Sequence, residues 1–176
     1  MTTEKLRLYY LVSKEHSSDE LIIKTAAHLT GKSPNEFKIF RQRGKKPYFE
    51  NSDLKFSVSH SGDVWICVYA PGEIGCDIQQ RRAGIRFREL SERWFTQNEA
   101  DRIRTEQDFY DIWSEKEAYT KMLGTGIDEK FRKIDTTSLS DAVLKDIMIS
   151  DIGDGYSCAV AYSSEFELEL YNISEI

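Results

Sequence analysis

SGDVWICVYA, residues 61–70, returns without a gap as IGDGYSCAVA at residues 152–161, matching Gly62 with Gly153, Asp63 with Asp154, Trp65 with Tyr156 and Cys67 with Cys158. Each stretch reads as a glycine turn running into a strand, and each follows a helical segment that stops at Leu29-Thr30-Gly31 or Leu123-Gly124. Two readings stand: a coincidence of two β-hairpins, or a duplication. With the duplication, the expected fold is a pseudo-twofold α/β (α+β) protein. Its similar halves, 1–80 and 81–176, then face each other across a cleft suited to a ligand.

The rest of the chain supplies the remaining elements. LRLYYLV (6–12) favours a strand, and SSDELIIKTAAHLTG (17–31) a helix, with capping-box spacing from Ser17 to Glu20 and a stop at Gly31. FKIFRQRGKKPYF reads as a strand entering a basic turn, and LKFSVSHSGDVWICVYAPGEIGCDI as three short strands with turns at 61–63 and 71–72. RRAGIRF (81–87) is the candidate linker. LSERWFTQNEADRI carries a second capping box from Thr96 to Glu99, and QDFYDIWSEKEAYTKMLG (107–124) is a stronger helix with an apolar stripe of Phe109, Ile112, Trp113, Thr120 and Leu123. Two strands close the chain, in KDIMISDIGDGYSCAVAYS and FELELYNI.

Composition excludes several classes. The 176 residues hold 24 Lys and Arg against 30 Asp and Glu, a formal charge of −6, so no overall field draws nucleic acid or an anionic membrane. An apolar content of 40% is that of a soluble globular chain with a real core. Cys67, Cys76 and Cys158 lie apart among strand-like residues, with no C-x-x-C pair and no histidine cluster. They read as core thiols of a reducing cytosol, so a cytoplasmic protein is expected. The apolar run in MTTEKLRLYYLVSKE is too short to span a membrane and unlike a signal peptide.

Asp77 interrupts an otherwise buried strand in IGCDIQQRR (74–82), and a carboxylate removed from water needs a pairing partner, hydrogen bonds or a metal. Ser59 beside His60 invites a serine-nucleophile reading. Neighbours on a strand point to opposite faces, however, and no G-x-S-x-G elbow is present. A histidine next to a glycine turn suits a phosphate as well as a structural hydrogen bond. Glu117 and Lys121 are four apart on one helix edge: either a surface pair, or a cation ligand and a phosphate ligand facing a cleft. KIFRQRGKKP concentrates Lys38, Arg41, Arg43, Lys45 and Lys46 just before His60, where an anion could be gripped. Arg81, Arg82, Arg86 and Arg88 form a second basic cluster fit for an acidic partner.

The order of G-K-K-P (44–47), S-H-S-G (59–62), G-C-D-I (75–78) and WSEKEAYTKMLGTG (113–126) resembles the 4′-phosphopantetheinyl transferases, in particular the broad-specificity type that activates nonribosomal peptide and polyketide synthases. The resemblance implies a pseudo-twofold α/β enzyme that transfers the phosphopantetheine arm of coenzyme A to a serine of an apo acyl or peptidyl carrier protein, releasing adenosine 3′,5′-bisphosphate. It implies magnesium, with manganese as the alternative, on Asp77 and Glu117; His60 and Lys121 on the coenzyme's phosphates; Lys46 and Pro47 at the nucleotide end; and Ser59 lining the same pocket. Glu117, directly or through a water, would take the serine proton.

Two departures accompany the resemblance. Gln79 stands where relatives of this type often carry a third, glutamate metal ligand, leaving a weak or water-mediated contact. The stretch before Ser17 lacks the family's basic residues, for which Arg41, Arg43 and Lys45 are the substitutes. The Arg81–Arg88 cluster would dock the carrier, and a chain that builds its own cleft is expected to be a monomer. The alternative is a non-catalytic coenzyme A-binding module of the same descent. Carriers of fatty acid, polyketide and peptide synthesis are equally compatible with these motifs.

Overall fold

The computed structural model describes residues 3–127 and 130–176. Two antiparallel-rich sheets pack face to face, with a helix on the outer side of each, so that four layers are built from one chain. The first sheet runs in the order β4 (Lys55–Ser61), β5 (Val64–Ala70), β1 (Glu4–Val12), β9 (Phe166–Asn172). The second runs β6 (Ile74–Gln80), β8 (Tyr156–Tyr162), β7 (Val143–Asp146). A short ribbon of β2 (Ile39–Phe40) and β3 (Tyr48–Phe49) carries the basic turn.

The side-chain period of two sorts each strand between layers. Leu6, Leu8, Val64, Ile66 and Val68 of the first sheet meet Ile74, Cys76, Ile78, Cys158 and Val160 of the second in one core. The opposite face, with Tyr9, Trp65, Cys67 and Tyr69, packs on Ile22 and Ala26 of α1 (Ser18–Thr30). In the second sheet Ala159 and Ala161 pack on Ala118, Tyr119 and Met122 of α4 (Glu106–Leu123). The short helices α2 (Phe87–Trp94) and α3 (Gln97–Ala100), parted at Phe95 by the Thr96 cap, pack beside the first half of α4 through Phe87, Leu90, Phe95, Phe109 and Ile112.

The α/β class expected from the sequence is present. The register of the internal echo is not. β5 and β8 are both inner strands beneath a helix, yet Trp65 and Cys67 face α1 while their aligned counterparts Tyr156 and Cys158 do not face α4, Cys158 lying in the core between the sheets. A slip of one residue exchanges the faces of a strand, so the alignment that preserves burial is offset by one from the one that matches letters. The sheets also do not divide at residue 80. β6 leaves the first half to pair antiparallel with β8, and β9 returns from the second half to pair parallel with β1.

Local signals end the helices where the sequence places them. Ser17 caps α1 by accepting from the Glu20 amide, and Thr96 and Glu99 form the reciprocal box on α3. Gly124 closes α4 in the left-handed region (φ 69°), which glycine enters without steric cost. On α4, Phe109, Ile112 and Thr120 are buried as expected, but Leu123 is 45% exposed and Met122 takes the inward place.

Candidate functional site

The edge strand β4 of the first sheet lies against β6 of the second, but not through a backbone ladder. Ser57, Ser59 and Ser61 share one face of β4, and their hydroxyls accept the amides of Cys76 (3.0 Å), Ile78 (3.3 Å) and Gln80 (2.9 Å) in turn. Three side chains thus satisfy an otherwise open strand edge. They also bring the second serine to Asp77.

Asp77 is 1% exposed and lies on the α4 side of β6. Its Oδ1 accepts from Ser59 Oγ (2.8 Å) and Lys121 Nζ (2.6 Å), and its Oδ2 from Gln79 Nε2 (2.8 Å). Lys121 Nζ also donates to Ser59 Oγ (3.0 Å) and stands 3.9 Å from Glu117 Oε2. Glu117 Oε1 in turn accepts from the Trp113 indole (2.7 Å). Burial, then the charge of Asp77, pushes the Glu117 carboxyl up to about 7. Burial is the largest single influence and lowers Lys121, but the charges of Asp77, Cys76 and Glu117 together with the Asp77 hydrogen bond outweigh it and hold the ammonium above its ordinary value.

β6 comes this close to α4 because of Gly75. A Cβ there would lie 1.8 Å from the Ala118 carbonyl oxygen and 2.5 Å from the Met122 amide nitrogen, so only glycine fits. Gly75 and Asp77 share a face, and the tight packing at one presses the other towards Glu117 and Lys121.

Two chambers open along this seam. One, about 460 Å³, is lined by Ser18, Arg41, Ser59, His60, Asp77 and Glu117, among others. The other, about 310 Å³, includes Lys45, Lys46, Pro47, Phe56, Gly124 and Gly126. Lys121 and Val58 border both. Sequence-chosen residues from β4, β6, the basic turn and α4 are therefore brought together. His60 points away from Ser59, to the α1 side, with its ring edge-on to His16 at 6.4 Å. Arg41 reaches the same chamber, its guanidinium held by both oxygens of Asp19. Lys46 is already engaged, donating to Glu73 (3.2 Å) and to the Ile74 carbonyl (2.7 Å), and burial lowers its pKa.

The second basic cluster does not stay together. Arg81 is turned inward, 3.8 Å from Asp111, and borders a separate cavity on the second half. Arg82, Arg86 and Arg88 remain exposed at the start of α2. Lys116, next to Glu117 in the motif, points the other way: fully buried, it pairs with Glu99 (2.5 Å), donates to the Ile134 carbonyl (2.6 Å) and lies over the Phe95 and Phe131 rings. Sequence reading placed Trp113 in the apolar stripe and missed its bond to Glu117, although the i, i+4 spacing of Trp113 and Glu117 was a usable signal. The roles of Gly75, Ser57 and Ser61 carried no local signal.

The donor set can be judged for a metal. Among the described residues no three His, Cys, Asp or Glu side chains cluster as a metal site. Asp77 and Glu117 are two carboxylates lining one open chamber, which suits magnesium, an ion held by one or two carboxylates and completed by water and substrate phosphates. Burial pushes Cys76 up to about 11 and Cys67 and Cys158 well above the ordinary thiol range, so these are inert core thiols. No helix among the described residues is long and apolar enough to cross a membrane.

The chain belongs to the 4′-phosphopantetheinyl transferase superfamily, whose family model matches residues 73–171, more than half of its length. It is similar to a 4′-phosphopantetheinyl transferase of Bacillus subtilis, 30% identical over 134 residues that make up 70% of this chain and 59% of that protein. The 4′-phosphopantetheinyl transferase Sfp of Bacillus subtilis (strain 168) is 28% identical over the same shares. AcpT of Salmonella typhi is 31% identical over 99 residues, 52% of each chain. The chain thus spans little more than half the length of the curated relatives it matches. At the level of the family, the resemblance read from the sequence is borne out.

Proposed function

We propose that the protein transfers the 4′-phosphopantetheine arm of coenzyme A to a serine of an apo acyl or peptidyl carrier protein in the cytoplasm, releasing adenosine 3′,5′-bisphosphate. The observation that supports it most is the convergence of Asp77, Glu117, Lys121 and Ser59 at one seam between two chambers, in a chain of this superfamily. Asp77 and Glu117 would hold magnesium or manganese, which when bound supplies positive charge against the pyrophosphate of the leaving group. Lys121, His60 and Arg41 offer donors to phosphate oxygens, and the chamber at Lys45, Lys46 and Pro47 would take the nucleotide end. Glu117, directly or through a water, would accept the serine proton. The exposed Arg82, Arg86 and Arg88 would meet an acidic carrier, with Arg81 supporting that surface from within.

Gln79 favours a second reading, a coenzyme A-binding module without transfer, because its amide donates to Asp77 where a third carboxylate would ligate. Intact-mass spectrometry of a panel of apo carriers, incubated with the protein, coenzyme A and magnesium and with a chelated control, separates the two. A metal-dependent gain of one phosphopantetheine, lost in Asp77→Ala and Glu117→Ala, supports transfer. Coenzyme A binding with no gain on any carrier supports the module.

A further inference from the structure

We propose that the Lys121 ammonium is a resident counter-ion, occupying the cation position between Asp77 and Glu117 until a pyrophosphate-bearing ligand draws it off, so that metal and ligand bind as a linked pair. This rests on the transferase reading of the cleft. Every oxygen of Asp77 already has a donor: Lys121 and Ser59 on Oδ1, Gln79 on Oδ2. Lys121 and Ser59 engage both lone pairs of Oδ1, so a divalent ion reaching that oxygen must displace a hydrogen bond, and the Lys121 ammonium is the displaced group that carries charge. With one ammonium beside two ionised carboxylates the seam holds a net charge of about −1, which a dication in the ammonium's place would neutralise. Both cations together would stand within a few ångströms of one another in a half-buried site, where repulsion is poorly screened.

Lys121 has somewhere to go. It borders both chambers, and its four-carbon stem can turn from Asp77 towards the side lined by Lys45 and Lys46. A pyrophosphate held where the two chambers meet offers the ammonium new acceptors at the moment Asp77 is released. Ligand and metal should then raise each other's affinity by the same factor, as linkage requires.

The test measures Mn²⁺ binding to the full chain by electron paramagnetic resonance, without ligand and with saturating coenzyme A. It compares the wild type with Lys121→Met and Lys121→Gln, each checked for fold by circular dichroism. Without ligand, Mn²⁺ should bind either folded variant about tenfold or more tightly than the wild type; coenzyme A should tighten Mn²⁺ binding by a similar factor in the wild type and by much less in the variants. Lys121→Gln keeps a donor to Asp77 without the charge and serves if Lys121→Met does not fold. Equal or weaker Mn²⁺ binding by the folded variants, with the wild type binding Mn²⁺ in coenzyme A, overturns the counter-ion and leaves the transferase reading standing. No Mn²⁺ binding by any of the proteins under either condition overturns the metal assignment and this inference with it.

Discussion

Gly75→Ala tests the reasoning that joins packing to the site. The added methyl would lie 1.8 Å from the Ala118 oxygen and 2.5 Å from the Met122 nitrogen, the two ends of one α4 backbone hydrogen bond. Ordinary contact begins near 3.4 Å, so α4 and β6 must separate by about 1.6 Å, and backbone cannot rotate aside as a side chain can. Overpacking of this kind costs roughly 1–3 kcal/mol, and the rigid obstacle places it at the upper end. For a chain of this size about 3 kcal/mol corresponds to a fall in Tm of roughly 6–12 °C. The same displacement pulls Glu117 and Lys121 from Asp77, and a misplacement of about 1 Å is enough to lower turnover on the order of 100-fold. Urea denaturation with intact-mass assay of transfer measures both. Gly155→Ala is the control, because its added methyl meets nothing within 4 Å. A Gly75→Ala protein as stable and as active as that control would refute the close approach of β6 to α4.

Further outcomes follow from the same structure. Lys116→Met leaves the fully buried Glu99 carboxylate with its hydrogen bonds from Thr96 and Thr136 but without a counter-charge, and should lower stability by about 3 kcal/mol, with partial recovery on adding Glu99→Gln; a loss below about 1 kcal/mol would contradict the pair. Burial, with Asp146 adding to it, pushes Glu115 up to about 7 from an ordinary value of 4.5. The folded state therefore favours its protonated form, so its contribution is intact below about pH 4.5 and lost as pH rises through 7. Denaturation should show stability falling between pH 5 and 7, by up to about 3 kcal/mol from this group, and Glu115→Gln should flatten the fall; a rise over that interval would contradict it. Arg82→Glu with Arg86→Glu should raise KM for the carrier several-fold more than KM for coenzyme A. Equal effects on both substrates would remove this surface from carrier docking.

Much of the candidate site could be proposed from the sequence because its residues sit in short motifs. Asp77 was marked by being acidic in a strand, Glu117 and Lys121 by helical spacing, and His60 by its glycine turn. Arg81 and Lys116 were not resolved by their motifs, since adjacent residues in a run or on a helix part company according to what packs on each side. Arg81 turns to Asp111, Lys116 to Glu99, and their neighbours Arg82 and Glu117 do not follow.

What the sequence determined by itself was local. Helix ends at Ser17, Gly31, Thr96 and Gly124, the strand order along the chain, and the pairing of Glu117 with Lys121 depend on interactions within a few residues, and those are written in the letters. Tertiary structure alone decided which face each strand shows. The echo between 61–70 and 152–161 matches letters in a register that the two sheets do not use, because burial follows the face and a strand's face changes with every residue. It also decided that β6 and β9 each join the sheet of the opposite half of the chain, that three serines seal the seam between β4 and β6, and that Gly75 lets a helix backbone approach until Asp77 meets Lys121. Those contacts join residues distant in sequence, and their geometry exists only once the layers have packed.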